Sequence, residues 1–212
     1  ERIHYMAHYD ALTGLPNRAY FAEQTEADLK RRQHAKNPGT TMLMIVDVDD
    51  FKHVNDTMGH LVGDQLLVEV SDRLSRALGH DSLLARLGGD EYIVYRGSGV
   101  SEEDGLSLPQ AILEAFQPPF AVLGEVVSVN VSIGVVLSTD LSVALEALKN
   151  RADLALYKAK ANGKQQAQIF HEEMDTDYRY RQRLKTDLKQ TVAEGGLTLV
   201  YQPIVDLATR KV

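Results

Sequence analysis

The sequence predicts an α+β domain in which helices cover a central, mostly antiparallel sheet. Three observations carry that expectation. Residues 41–46 (TMLMIV) form a continuous apolar run, long enough for a buried strand and too short for a buried helix. Two apolar arms over residues 82–95 flank Gly88-Gly89, a pair that tolerates the positive φ of a hairpin turn. Leu66, Leu67, Val70, Leu74 and Leu78 recur at helical spacing over residues 61–78.

The remaining elements follow in order. Residues 1–9 (ERIHYMAHY) read as the end of an upstream stalk helix. Residues 10–18 (DALTGLPNR) carry Gly, Pro and Asn and read as a turn, before a charged helix over 19–35. The strand at 41–46 ends in Asp47-Val48-Asp49-Asp50, and a short helix follows. After the hairpin, a helix over 108–116 stops before Pro118-Pro119. A short strand, a turn at Gly124 and an alternating strand come next. In that strand Val127, Val129, Val131 and Ile133 face one way, and Ser128, Asn130 and Ser132 the other. The last helix of the unit spans 141–162, with Leu145, Leu148, Ala152, Leu156 and Ala159 inward and Gly163 suited to its C-terminal cap. Residues 166–170 read as a closing strand.

Composition narrows the classes of function. A hydrophobic fraction of 44% in 212 residues supports one ordinary domain with extra pieces at its ends. A net charge of −7, with no basic stretch, argues against a nucleic-acid partner. The chain has no cysteine, so disulfides and thiolate zinc sites are excluded. No apolar run is long enough for a bilayer and no secretory signal opens the chain. A cytoplasmic segment without membrane contact of its own is expected, from a longer parent that could be tethered upstream.

Two acidic groups carry the chemistry. Asp47 and Asp49 fall on one face of the strand end if the chain stays extended, and carboxylates beside an apolar core need a partner. The alternative is that one Asp caps the next helix and the others are solvated. Asp90 and Glu91 sit at the hairpin tip. A hairpin beside the 41–46 strand brings Asp47 and Asp90 together, and converging carboxylates repel unless a divalent cation lies between them. Oxygen ligands favour Mg²⁺, or Mn²⁺ in its place, and two such ions can support phosphoryl displacement. Lys160 and Lys164, around Gly163, either complement the helix C-terminus or clamp a triphosphate.

These residues resemble the GGDEF family of diguanylate cyclases. DALTGLPNR (10–18), VDVDDFKHVNDTMGHLVGDQLL (46–67), ARLGGDEY (85–92) and ADLALYKAKANGK (152–164) match its motifs in order. The resemblance covers residues 10–170 and implies a ferredoxin-like fold related to polymerase palms and nucleotide cyclases. It implies that two GTP are joined into cyclic di-GMP across a homodimer with two Mg²⁺ per active site. Asp47, Asp90 and the Val48 carbonyl would be metal ligands. Asn55 and Asp64 would bind guanine, with Leu12 and Leu67 lining its pocket. Lys52 would help with phosphate charge, and Lys160 and Lys164 would hold the terminal phosphates. Glu91 would support the metal site or assist deprotonation of the 3′-hydroxyl; both roles stay open.

Residues 171–212 resemble a linker helix and the first strand of an EAL phosphodiesterase domain, without its Glu-Ala-Leu motif or metal ligands. An EAL domain is therefore the expected partner in the parent chain, and phosphodiesterase activity is not expected here. Leu197–204 would be an unpaired apolar strand. The alternative function is a non-synthesising, GTP-binding regulator of that neighbour.

Three departures from the family pattern stand out. Tyr92 replaces Phe. Lys164 replaces Arg, which keeps the charge and loses the bidentate fork. Leu83-Leu84-Ala85-Arg86 occupies the place of the family's Arg-x-x-Asp product-inhibition site. Titrating activity with cyclic di-GMP should therefore show no inhibition at low micromolar product; strong inhibition there would contradict this reading.

Overall fold

The computed structural model describes residues 7–35, 39–101, 104–198 and 200, with side chains at all of these except 98 and 99. The expected stalk helix falls mostly outside these residues, as does most of the apolar strand expected at 197–204. Chain contacts divide the protein into residues 1–175 and 176–212.

The first unit is an α+β fold built on a five-stranded sheet. Its strands are β1 (Thr40–Val48), β2 (Leu83–Gly88), β3 (Glu91–Val100), β6 (Val131–Ser138) and β7 (Ala167–Ile169), in the spatial order β2-β3-β1-β6-β7. All neighbours are antiparallel except β6 and β7. A separate two-stranded ribbon joins β4 (Phe120–Val122) and β5 (Glu125–Val127). The helices are α1 (Arg18–Gln33), α2 (Phe51–Met58), α3 (His60–Leu78), α4 (Asp104–Ala115) and α5 (Leu145–Ala161), with α6 (Glu172–Ala193) after β7.

β1 is central and covered on both faces, which is why its sequence is continuously apolar rather than alternating. Met42, Met44, Val46 and Val48 pack with Val54, Leu66, Leu67, Val70, Leu74 and Ile112 of α2, α3 and α4. Leu43 and Ile45 pack on the other face with Phe21 and Leu29 of α1 and Leu148, Ala152 and Leu156 of α5. The strand's pleat therefore decides what Asp47 meets: it points to the face of Leu43 and Ile45, under α5.

Helix α5 lies very close to the sheet. A Cβ at Gly134 of β6 would sit 2.0 Å from the Ala152 carbonyl and 2.4 Å from the Leu156 nitrogen. Only a glycine permits this approach, and it fixes where the end of α5 falls. There the Lys164 N–H bonds the Ala159 carbonyl at 3.1 Å and the Gly163 N–H bonds that of Lys160 at 3.3 Å. This is a Schellman closure, with Gly163 at φ 114°.

Several boundaries differ from expectation. The alternating strand is two strands. Val127 pairs with Phe120 whereas Val131 pairs with Val48, so the chain changes ladder partner between them while Val127, Val129 and Val131 all stay buried. Helix α4 reaches back to Asp104 because Ser101 and Asp104 cap each other: the Ser101 N–H reaches the Asp104 carboxylate at 2.7 Å, and the Asp104 N–H reaches Ser101 Oγ at 3.1 Å. Helix α5 starts at Leu145 rather than 141, since Asp140 folds the preceding residues by accepting from the Ser142 N–H and hydroxyl.

Tyr92 is fully buried between the sheet and α3. Its hydroxyl donates to the Leu67 carbonyl at 3.0 Å and lies 3.2 Å from Ser71 Oγ. Burial raises the phenol to about 12, so it stays a donor at any ordinary pH. Ser71 also bonds the Leu67 carbonyl, at 2.7 Å. Tyr92→Phe should thus leave no orphaned acceptor and cost only about 0.5–1.5 kcal/mol by urea unfolding, at an unchanged m-value.

Candidate functional site

The site forms at one end of the sheet, where β1 finishes and the β2–β3 turn projects. Asp47 pairs in register with Glu91 on β3 and Ser132 on β6. The Val48 N–H donates to the Asp90 carbonyl at 3.2 Å. Gly88 and Gly89 both adopt positive φ, and that turn delivers Asp90 beside the end of β1. The two acidic stretches therefore meet across adjacent strands.

Asp47 is the electrostatic focus. It is 6% exposed, and burial lifts its carboxyl to about 6. The Asp90 and Glu91 charges push in the same direction, while Lys160 opposes them. Lys160 Nζ lies 2.7 Å from Asp47 Oδ1, and Lys164 Nζ lies 2.7 Å from Asp50 Oδ1. Lys164 holds Asp50 below its ordinary carboxylate range. Both lysines reach carboxylates at the strand end, and Lys160 also lies in the last turn of α5.

Asp49 and Asp50 have different roles from those expected. Asp49 is as buried as Asp47, but its oxygens are engaged within the fold. Ser132 Oγ donates to Oδ1 at 2.8 Å and the Gln165 N–H to Oδ2 at 3.1 Å. It ties the end of β1 to β6 and to the segment after α5. Asp50 precedes α2 in the left-handed region at φ 58° and makes no side-chain cap. The helix-capping alternative is therefore not realised there.

Asn55 and Asp64 come from neighbouring helices. Asn55 Oδ1 is buried without a hydrogen-bond partner. Such an acceptor costs roughly 1–3 kcal/mol unless something donates to it. The adjacent helix approaches it through Gly63, where a Cβ would lie 2.0 Å from that oxygen. Asp64 follows Gly63 and is exposed, Leu67 is buried, and Leu12 is 36% exposed. Lys52 is exposed on α2.

Sequence reasoning gave no positive role to Gly63 or Arg86. Arg86 donates to the Gly89 carbonyl through Nε at 3.0 Å and Nη2 at 2.7 Å, and through Nη1 to Asp10 Oδ1 at 2.8 Å. It braces the glycine turn against the turn at 10–16. Burial disfavours the Asp10 charge, yet bonds from Thr13 and Arg86 hold that carboxyl below its usual range.

A family model described as "Diguanylate cyclase, GGDEF domain" matches residues 7–166. The chain belongs to this GGDEF family. It is 38% identical over its whole length to an uncharacterised signalling protein of Caulobacter vibrioides, covering 26% of that protein. It is 35% identical over 96% of its length to the cyclic di-GMP phosphodiesterase PdeR of Escherichia coli, covering 30% of it. Among solved structures, the GGDEF domain of TpbB (YfiN) from Pseudomonas aeruginosa superposes with a TM-score of 0.74 at 30% identity. That superposition covers 81% of this chain and 99% of the other. The chain thus spans only about a quarter to a third of these curated relatives.

Among the described residues, no group of three or more His, Asp, Glu or Cys side chains is arranged to hold a metal. The donor set that remains is two carboxylates, Asp47 and Asp90, with the Val48 carbonyl between them in sequence. This suits a hard cation that takes one or two carboxylates and completes its shell with water and phosphate. No described helix is long and apolar enough to cross a membrane.

The raised Asp47 carboxyl has a measurable consequence in metal-free buffer. A folded value of about 6 against 3.8 unfolded means that protonation stabilises the fold fully below about pH 4, an effect lost as pH rises through 6. Asp47→Asn should therefore raise Tm by several degrees at about pH 8, equivalent to about 2–3 kcal/mol. Thermal melts across pH should show the gap closing below about pH 4; a constant gap would contradict the assignment.

Proposed function

We propose that this GGDEF domain binds GTP with Mg²⁺, or Mn²⁺ in its place, at the end of β1. Two copies face each other to make cyclic di-GMP and two pyrophosphates. The observation that supports it most is the meeting of Asp47 with Asp90 and Glu91 beside Lys160. That arrangement has no structural economy in an empty domain and suits a metal-bound polyphosphate.

Each residue has a task on this reading. Asn55 and Asp64 orient guanine, whose N1–H and amino group offer a carboxylate two donors that adenine lacks. Leu12 and Leu67 flank the base. Asp47, Asp90 and the Val48 carbonyl would hold Mg²⁺, two ions per site. Bound there, these ions neutralise phosphate charge and make the 3′-hydroxyl easier to deprotonate. Lys160 and Lys164 hold the terminal phosphates, and Lys52 adds positive charge nearby. Each ribose 3′-oxygen bonds to the partner nucleotide's α-phosphorus as the bond to the β-phosphate oxygen breaks. The hydroxyl proton passes to Glu91 or to water. Positioning across the homodimer supplies much of the rate.

A second reading is favoured by one specific observation. PdeR, named as a phosphodiesterase, aligns along 96% of this chain. On that reading the domain binds GTP and regulates a following EAL domain, of which residues 171–212 would be the start. Lys164 in place of the family's Arg fits weaker triphosphate handling.

Incubating an artificially dimerised chain with GTP and Mg²⁺ separates the two. Synthesis predicts cyclic di-GMP by mass spectrometry, and Asp90→Ala should reduce it at least about a hundredfold, as expected for lost transition-state charge stabilisation. GTP binding without product would leave the regulator.

A further inference from the structure

The two lysines of the site are both paired with carboxylates that belong to it. Lys160 reaches the buried Asp47 at 2.7 Å, and Lys164 reaches the exposed Asp50 at the same distance. The two pairs are not equivalent. Lys164 and Asp50 are 40% and 68% exposed at their side chains, so water can replace either partner at little cost. The Asp47 side chain is 8% exposed, and its neighbours across the ladder are Glu91 and Ser132. Its charge needs a cation, and Lys160 supplies it.

We propose that the Lys160 ammonium occupies the place of the metal on Asp47, so that the site takes a divalent metal–polyphosphate complex as one ligand and discriminates against free metal. This rests on the GTP-binding reading above. A divalent ion on Asp47 cannot share that carboxylate with an ammonium at contact distance without strong like-charge repulsion. Lys160 must leave, and it needs another anion. Free polyphosphate alone is also disfavoured, because Asp47, Asp49, Asp50, Asp90 and Glu91 gather at this end of the sheet. When both ligands arrive together, Asp47 exchanges ammonium for metal and Lys160 exchanges carboxylate for phosphate. Every charge keeps a partner, and the two ligands bind with positive coupling.

The geometry suits such an exchange. The backbone of Lys160 is fixed by the close contact of α5 with Gly134 and by the closure at Gly163. Its ammonium sits on a flexible four-carbon stem, 38% exposed, and can swing without moving the helix.

The test titrates the metal-free chain with Mn²⁺, read by electron paramagnetic resonance, with and without the α,β-methylene analogue of GTP. Lys160→Met should bind Mn²⁺ alone at least about tenfold more tightly than the parent, and Mn²⁺ with the analogue about tenfold less tightly. Lys160→Arg, which keeps the charge and the fold, should retain the weak binding of metal alone. Lys164→Met should shift the metal-only affinity by less than about threefold. Equal metal-only affinity in the parent and Lys160→Met overturns the proposal while leaving the GTP-binding reading intact. Mn²⁺ binding in the Lys160→Met background that is unchanged by Asp47→Ala puts the metal elsewhere and overturns the proposal.

Discussion

A carboxylate held against an apolar core cannot remain alone, and the architecture around β1 follows from that constraint. The strand must be apolar to sit in the middle of the sheet, yet it ends in Asp47 on the face covered by α5. The cost of burying that charge shows in the carboxyl, which is raised to about 6, and the fold offsets part of it by bringing Lys160 to 2.7 Å. The site is best described as a charge held in readiness.

The rest of the fold keeps this charge in register. Asp49 binds the end of β1 to Ser132 and to the backbone of Gln165. Arg86 fastens the glycine turn to Asp10, so Asp90 is presented from a braced loop. Gly134 lets α5 lie on the sheet backbone itself, which sets the height of Lys160 above Asp47. On the opposite face, Gly63 lets α3 approach Asn55, whose buried Oδ1 has no hydrogen-bond partner. These contacts are local, but together they fix the side chains at one end of the sheet.

Much of this could be read in the amino acids alone, for definite reasons. A central strand ending in carboxylates and a hairpin with a glycine tip are both short-range patterns, and adjacency of the two puts Asp47 near Asp90. The partner of each lysine was not legible, because it depends on the left-handed turn at Asp50 and on the closure after Ala161. The break between β5 and β6 was hidden because period-two burial continues through it while the ladder partner changes. The reciprocal cap at Ser101 and Asp104 is present as a spacing in the sequence, and Pro109 lies within α4 without ending it. Gly63 acts through Asn55, a residue on another helix, and no one-dimensional pattern reports that clearance.

Strand β7 has a mechanical meaning of its own. Immediately after Lys164 the backbone is sewn to the sheet: Gln165 to Asp49, Gln166 to Ile133, and Phe170 to Val135. The polypeptide then leaves directly into α6. Displacing Lys164 therefore means breaking bonds to the sheet itself, so the same end of the sheet that carries Asp47 and Asp49 sets its position.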